Sequence, residues 1–444
     1  NRQHMVHPDN PFFLYFALGA GHAPHQAPKE YVDHYKGAFD AGWGEIRELW
    51  FENQKKLGIT PENTVLNPRN EFVKPWAELS EDEKKVYARY MEVFAGFLEH
   101  ADAQIGKVVD YLKEIGEYDN TVIVLLSDNG ASAEGGKNGR VNQEKSLNLL
   151  EETNNVELTL KHLDELGSST FSNPHYPVGW ANAGNTPFQW YKSWVHSGGV
   201  KDPLIISYPN GIHAKGEIRS QYLHVVDIAP TILDILGTDK PDHIKGVAQK
   251  PYHGVSFTST FDDAKAPDVR HVQYFEQTGN RGIWKDGWKA ITNHIHGGDY
   301  VNETWELYHV AEDFSESHNV AEQYPDKLKE LIALWYVEAG KYGVLPLGDG
   351  PYLTKKPEEL VNAVKGNQFY MNPQKFVYEG VLHPLDITTK TMFNRRNHKI
   401  TVKIDHKADQ EGILYSAGNR FGGYALFIQD NRLRYAYNYH REAV

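Results

Sequence analysis

Apolar and polar positions along this chain recur at two spacings, and each marks a different kind of element. The clearest helical rhythm opens at Ser80-x-x-Glu83, the pattern of a capping box. Val86, Tyr90, Val93, Phe94, Phe97, Ala101, Ile105, Val108 and Leu112 follow at steps of three and four, so the spacing predicts one long helix stopped at Gly116. After a turn at Asp119-Asn120 comes Thr121–Ser127 (TVIVLLS), a near-continuous aliphatic strand. Runs of that kind are typical of a parallel sheet covered on both faces. Pro11–Leu18 (PFFLYFAL) reads as another buried strand, Leu204–Tyr208 as a third, and Val225–Leu236 as a helix. Strand, long helix, strand is the order of an α/β domain.

The rhythm then changes. Val272–Glu276, Gly282–Lys285 and Trp288–Thr292, the last two joined by Asp286-Gly287, predict a small antiparallel sheet with a tight hairpin. Lys327–Lys341 is amphipathic and suited to cover it. Residues 131–176 are rich in Gly, Ser and Asn around one helical segment, 156–166, and read as a surface excursion. Residues 349–375, rich in Pro, Lys and Glu, read as a linker. Beyond them Ile400, Val402 and Ile404 alternate with polar residues, and Tyr424–Tyr439 alternates across Asp430-Asn431. That tail predicts antiparallel β structure, the start of a sandwich.

Composition removes several function classes. Lys plus Arg is 46 and Asp plus Glu is 59, a formal net charge of −13, which argues against binding nucleic acid or an anionic membrane through bulk charge. A small anionic substrate stays open, because a local cation outweighs distant charge. Val122–Leu126 is the longest aliphatic stretch, far short of the ~20 residues that span a bilayer, so no transmembrane segment is expected. There is no cysteine, which excludes disulfides, thiolate zinc sites and a cysteine nucleophile within these residues. Residues 1–10 carry neither an initiator Met at position 1 nor the apolar segment of a secretory signal, and the chain reads as entered in mid-domain.

Candidate chemistry centres on Ser127-Asp128-Asn129-Gly130, directly after the strand TVIVLLS. Ligands of open α/β sheets bind beyond the carboxyl ends of strands. Asp128 and Asn129 offer a carboxylate and an amide oxygen, hard donors for Ca²⁺ or Mg²⁺; the same residues also make ordinary strand-ending turns. His22, in the loop after the first apolar run, has the chemistry of a proton donor to a leaving group. It is one of 22 histidines, which by itself favours a surface or structural role, and His25 has no stronger claim than that. Lys192 precedes the Gly198-Gly199 pair and suits an anionic oxygen as a point charge, although most lysines are simply solvated.

Taken in order, GAGHAPHQAP (19–28), TVIVLLSDNG (121–130), NAGNTPFQWYKSWVHSGGVKDPLIISYPNGI (182–212), HVVDIAPTIL (224–233), QYFEQTGNRGIWKDGWKAIT (273–292) and WELYHVAEDFSESHNVAE (305–322) resemble the bacterial arylsulfatases. The resemblance covers roughly residues 11–345, and the tail 398–439 resembles the extra β-domain of larger members. It implies an α/β, alkaline-phosphatase-like fold: a mixed sheet sandwiched by helices over residues 1–270, a small antiparallel-sheet subdomain over 271–348, a linker over 349–375, and an incomplete C-terminal β-sandwich over 376–444. It implies a sulfuric ester hydrolase acting on a small-molecule or carbohydrate sulfate ester, in the periplasm or secreted. Asp128 and Asn129 match two ligands of one Ca²⁺, His22 the histidine at the sulfate ester and its leaving oxygen, and Lys192 the sulfate-binding lysine.

Two departures accompany that match. Ser197 stands where the family often has Glu before Gly-Gly, which predicts a less well supported loop. The family's N-terminal half, with its paired-aspartate metal site and the Cys- or Ser-x-Pro-x-Arg motif that yields formylglycine, is missing. Ser172-Asn173-Pro174-His175-Tyr176 is the nearest approach to that motif and lacks the Arg. These 444 residues alone are therefore expected neither to hydrolyse sulfate esters nor to be well soluble. Two other readings compete: a zinc phosphoesterase of the alkaline-phosphatase superfamily, and a non-catalytic glycan-binding role for an aromatic face at Tyr424, Phe427, Tyr435 and Tyr437.

Overall fold

The structure, a computed structural model, describes residues 10–142, 155–169, 172–295, 298–348 and, near the end of the chain, 399, 401–405, 407, 410–419, 422–439 and 442–443. The expected linker at 349–375, residues 376–398 and Ile400 lie outside the described residues. The chain separates into two compact units, one running to about residue 350 and one containing the C-terminal strands.

In the first unit the capping box forms as expected. Ser80 Oγ accepts from the Glu83 amide at 3.2 Å, and the Glu83 carboxylate accepts from the Ser80 amide at 2.7 Å. The helix runs from Glu81 to Glu114. Its buried face, Val86, Tyr87, Tyr90 and Val93, packs with Trp43 of the helix Gly42–Lys56 and Trp180 of the helix Val178–Gly184 to form the main core.

Strand β1 is Ile123–Leu126 and pairs antiparallel with β2, Leu204–Ser207, with Leu126 opposite Leu204. The parallel, fully covered environment expected for this run is therefore corrected for the described residues: Leu125 and Leu126 are each 41% exposed and Ile205 is 60% exposed. Pro11–Leu18 is corrected too. It forms no strand, and Phe13 and Tyr15 are 89% and 82% exposed. A strand exists only where a neighbour accepts its ladder bonds, and no described segment pairs with this one.

Strands β3 (His243–Ile244) and β4 (Val247–Ala248) make a short hairpin. Strands β5 (Val272–Gln277), β6 (Asn280–Lys285), β7 (Trp288–Thr292) and β8 (Glu306–Tyr308) then form an antiparallel sheet in that order. The β6–β7 turn places Asp286 at φ 45° and Gly287 at φ 83°, the left-handed pair that a two-residue hairpin needs. The helix Pro325–Lys341 buries Leu331, Trp335 and Ala339 against Ile283, Ala290 and Leu307 of this sheet. No described helix is long and apolar enough to cross a membrane.

The second unit contains β9 (Gly412–Asn419), β10 (Gly422–Gln429), β11 (Arg432–Tyr439) and β12 (Glu442–Ala443), antiparallel and in sequence order. Asp430 and Asn431 form the expected turn at φ 53° and 58°. Val402 and Ile404 are not in a strand. Register also corrects the aromatic face: Tyr424 lies opposite Tyr437 and Leu426 opposite Tyr435, whereas Phe427 lies opposite Arg434 on the other face.

Candidate active site

Beyond β1 the chain makes the turn Ser127–Gly130, in which Ser127 Oγ donates to the Asn129 carbonyl at 3.1 Å. Asp128 is exposed, and its carboxylate accepts no hydrogen bond from a described residue. Asp202, just before β2, feels it: burial and then the Asp128 charge push the Asp202 carboxyl up to about 7. Asp128 and Asn129 are hard oxygen donors, chemically suited to a divalent cation, but Ca²⁺ takes six to eight oxygens. No group of three or more acidic or histidine side chains that could hold a metal occurs among the described residues. Asp128 and Asn129 supply two of the oxygens that a divalent cation needs.

Gly130 enters the tightest contact in this region. Its amide donates to the Gly199 carbonyl at 3.2 Å, and a Cβ on Gly130 would lie 1.8 Å from the Gly198 oxygen. Only glycine admits such an approach. The next residue, Ala131, donates to Asn185 Oδ1 at 2.7 Å and accepts from the Lys192 amide at 3.1 Å. Asn185 Nδ2 in turn donates to the Trp190 carbonyl at 2.8 Å. One buried amide thus braces the Asp128–Asn129 loop against the Lys192 loop. Trp190 and Ser193 hold φ of 64° and 77°, rare for non-glycine residues. The Asn280 amide, at the start of β6, secures the second by donating to the Ser193 carbonyl at 2.9 Å. The Trp190 and Trp194 indoles stack at 4.1 Å on either side of this turn.

The Lys192 ammonium lies 3.1 Å from His22 Nε2 and 3.5 Å from Glu134 Oε2. His22 Nδ1 lies 2.6 Å from the Ala23 carbonyl. That carbonyl fixes the proton on Nδ1 in the neutral ring, so Nε2 accepts from Lys192. The structure therefore brings together two residues 170 apart in sequence, and it ties the Lys192 loop to the turn that carries Asp128 and Asn129. His25 takes the structural role: it is buried, its ring centroid 4.9 Å from those of Phe94 and Tyr176, and burial holds its pKa well below the ordinary histidine value. Ser172 and His175 are also buried, and Ser172 Oγ accepts from the Gly167 amide at 2.9 Å.

Ser197 does not leave the Gly-Gly loop unsupported, contrary to expectation. Its amide and hydroxyl donate to Glu316 Oε2 and Oε1 at 2.8 and 2.7 Å, and Lys289 of β7 donates to Oε1 at 2.7 Å. The Lys289 and Glu316 side chains are 4% and 0% exposed. Burial pushes the Glu316 carboxyl up, but the charges of Lys289 and His196 outweigh it and hold the group below the ordinary glutamate value. A carboxylate is present at this loop; it arrives from a distant segment. Sequence reasoning missed Glu134, Asn185, Lys289 and Glu316. Only the Gly-rich setting of Glu134 and the nearness of Asn185 to Lys192 offered a local signal.

The sulfatase family signature matches residues 3–238, more than half of the chain, and the signature described as N-sulphoglucosamine sulphohydrolase, C-terminal, matches 187–334. An uncharacterized sulfatase of Schizosaccharomyces pombe is 36% identical over 343 residues, covering 76% of this chain and 59% of that protein. An arylsulfatase of Klebsiella aerogenes is 33% identical over 244 residues, covering 55% of this chain and 49% of that protein. The chain spans about half the length of these curated relatives. The solved complex of a protein with its substrate D-glucosamine-2-N,6-O-disulfate is 23% identical, with a TM-score of 0.36 over 59% of this chain and 42% of that one, and at that similarity it informs neither topology nor chemistry. On the extent of the family match, the chain belongs to the sulfatase family.

Proposed function

We propose that the complete protein hydrolyses sulfate esters of aryl or carbohydrate alcohols, with Lys192 and His22 as the residues of this chain that meet the substrate. The observation carrying this reading is the 3.1 Å approach of the Lys192 ammonium to His22 Nε2, on a loop braced to the Asp128–Asn129 turn, in a sulfatase-family chain. A sulfate ester brings anionic oxygens and a leaving oxygen into one small volume, and a cation beside an imidazole suits that pair. Lys192 binds a non-bridging oxygen as a point charge. Glu134 keeps the ammonium directed while no anion is present. Once Lys192 has turned to the sulfate, His22 Nε2 is free to take up a proton from solvent and pass it to the leaving oxygen, while Nδ1 stays bonded to the Ala23 carbonyl.

The family generally uses formylglycine and a divalent metal. Ca²⁺ is the cation proposed for Asp128 and Asn129, where it would supply electrostatic stabilisation of the sulfate oxygens when bound. This chain has no cysteine to convert to formylglycine, so the nucleophile is proposed to lie outside these residues.

Turnover of a graded series of aryl sulfates by the full-length protein tests the reading. Lys192→Ala should lower kcat/KM for every substrate alike, and His22→Ala should cost more as the leaving phenol becomes more basic. A flat response of His22→Ala across the series refutes the proton-donor role, and full activity in Lys192→Ala refutes the site.

A further inference from the structure

Beside the bonds from Ala131, Asn185 and Asn280, the Lys192 loop meets the Asp128–Asn129 turn at a glycine pair. Gly199 accepts from Gly130, and a Cβ on Gly198 would fall 2.2 and 2.4 Å from the Gln189 and Trp190 oxygens. The metal-side turn and the lysine loop therefore both close on Gly198-Gly199, and Ser197 anchors that pair. We propose that Glu316, held by Lys289, is a positioning residue for the sulfate site, setting the placement of Lys192 and of the Asp128–Asn129 turn through Ser197 while touching neither. This inference rests on the sulfatase reading above for its catalytic consequence, but not for its mechanical one.

Several observations converge on it. Both of the carboxylate's oxygens are engaged, and Lys289 Nζ also lies 3.4 Å from Ser197 Oγ, so three polar groups form one buried cluster. Glu316 grips the lysine loop at its other end as well, because Gln189 Nε2 donates to the Glu316 carbonyl at 2.9 Å. Its own backbone sits at φ 58°. Such a conformation persists where surrounding contacts over-determine it, and it concentrates at functional sites. A carboxylate needed only for stability has little reason to occupy a buried, ion-paired position, since well-packed apolar residues usually serve there as well or better.

The test is the double variant Lys289→Met, Glu316→Gln in the full-length protein. It removes the charge pair as a pair, which spares the fold an unpaired buried ion. The amide offers one neutral oxygen to the Ser197 N–H, and its NH2 forces the Ser197 hydroxyl to turn from donor to acceptor, so both charge-assisted bonds become neutral ones. Hydrogen exchange of the amides at 129–131, none of which touches Glu316, should accelerate about tenfold, the equivalent of trading a charge-assisted hydrogen bond for a neutral one. Exchange in the helix Glu81–Glu114 should stay unchanged. Turnover of an activated aryl sulfate should fall about tenfold to a hundredfold in kcat/KM at unchanged melting temperature. Should the double variant fail to fold, Ser197→Ala removes a single hydroxyl donor and should move both readouts in the same direction, by less. A folded variant with exchange at 129–131 and kcat/KM both within twofold of the parent overturns the proposal. A parent without turnover on any sulfate ester sinks the sulfatase reading instead, and exchange at 129–131 then decides the positioning role alone.

Discussion

Replacing Gly130 by alanine tests how closely the two loops must approach. The residue lies outside the left-handed region, so an added methyl meets a steric problem and no backbone one. Its Cβ would lie 1.8 Å from the Gly198 oxygen, 2.8 Å from the Gly198 carbonyl carbon and 3.1 Å from Asn185 Oδ1. A tolerable carbon–oxygen contact is about 3.3 Å, so the turn and the glycine pair must part by about 1.5 Å. Overpacking of this kind costs about 1–3 kcal/mol, offset by about 0.4–1 kcal/mol from the stiffer unfolded chain. Melting temperature should therefore fall by only a few degrees, about 2–4 °C per kcal/mol in a domain of this size class. Displacement on the order of 1 Å within a site costs about a hundredfold in rate, so kcat/KM on an activated aryl sulfate should collapse out of proportion to stability. Gly106→Ala supplies the control: it lies within the helix Glu81–Glu114, and its Cβ would meet nothing within 4 Å. It should stabilise by about 0.5–1 kcal/mol and leave turnover alone. Parental melting temperature and kcat/KM within twofold in Gly130→Ala would refute the idea that this contact sets the site.

Burial drives the His175 pKa down to about 4, partly offset by its hydrogen bond to the Tyr176 carbonyl and by Glu134. The folded state thus favours the neutral ring, so this stabilisation is complete above about 6.5 and is lost as pH falls towards 4, up to about 3 kcal/mol. Urea unfolding at stepped pH should show that decline, and His175→Gln should flatten it. Asp227 is buried and accepts from the Val255 and His224 amides at 2.8 and 2.9 Å and from Arg270 Nε at 3.0 Å. Asp227→Asn strands the Arg270 charge and should cost about 3–5 kcal/mol by denaturant titration; a loss below about 1 kcal/mol would refute the pair's importance. Ser80→Ala removes the helix cap and should cost about 1 kcal/mol without altering turnover.

Local signals in the sequence were reliable wherever the physics was local. The capping box at Ser80, the left-handed turns at Asp286-Gly287 and Asp430-Asn431, and the amphipathic helix ending at Lys341 all depend on residues within one or two turns of each other, and all are found. Pro11–Leu18 and the surroundings of β1 were misread for a different reason. An apolar run states that something should cover it, and it is silent on which segment does so and in which direction that segment runs. His22 could be singled out because it follows an apolar run in a glycine-bearing loop, and Lys192 because it precedes a Gly-Gly pair and a strand. Glu316 could not. In the stretch EDFSESHN it reads as one more solvated acid, and its burial becomes visible only when β7 delivers Lys289 and the Gly-Gly loop delivers Ser197.

The stacked pair of Trp190 and Trp194 has a practical consequence. Two indoles 4.1 Å apart and inclined by 25° couple their electronic transitions, and the coupling depends steeply on their separation and angle. Tyr191, Lys192 and Ser193 lie between them in the chain. The loop that presents the lysine therefore carries its own optical gauge. A circular-dichroism couplet that changes when sulfate is added, and that disappears in Trp194→Phe, would follow movement of Lys192 without any label and without a chemical reaction taking place.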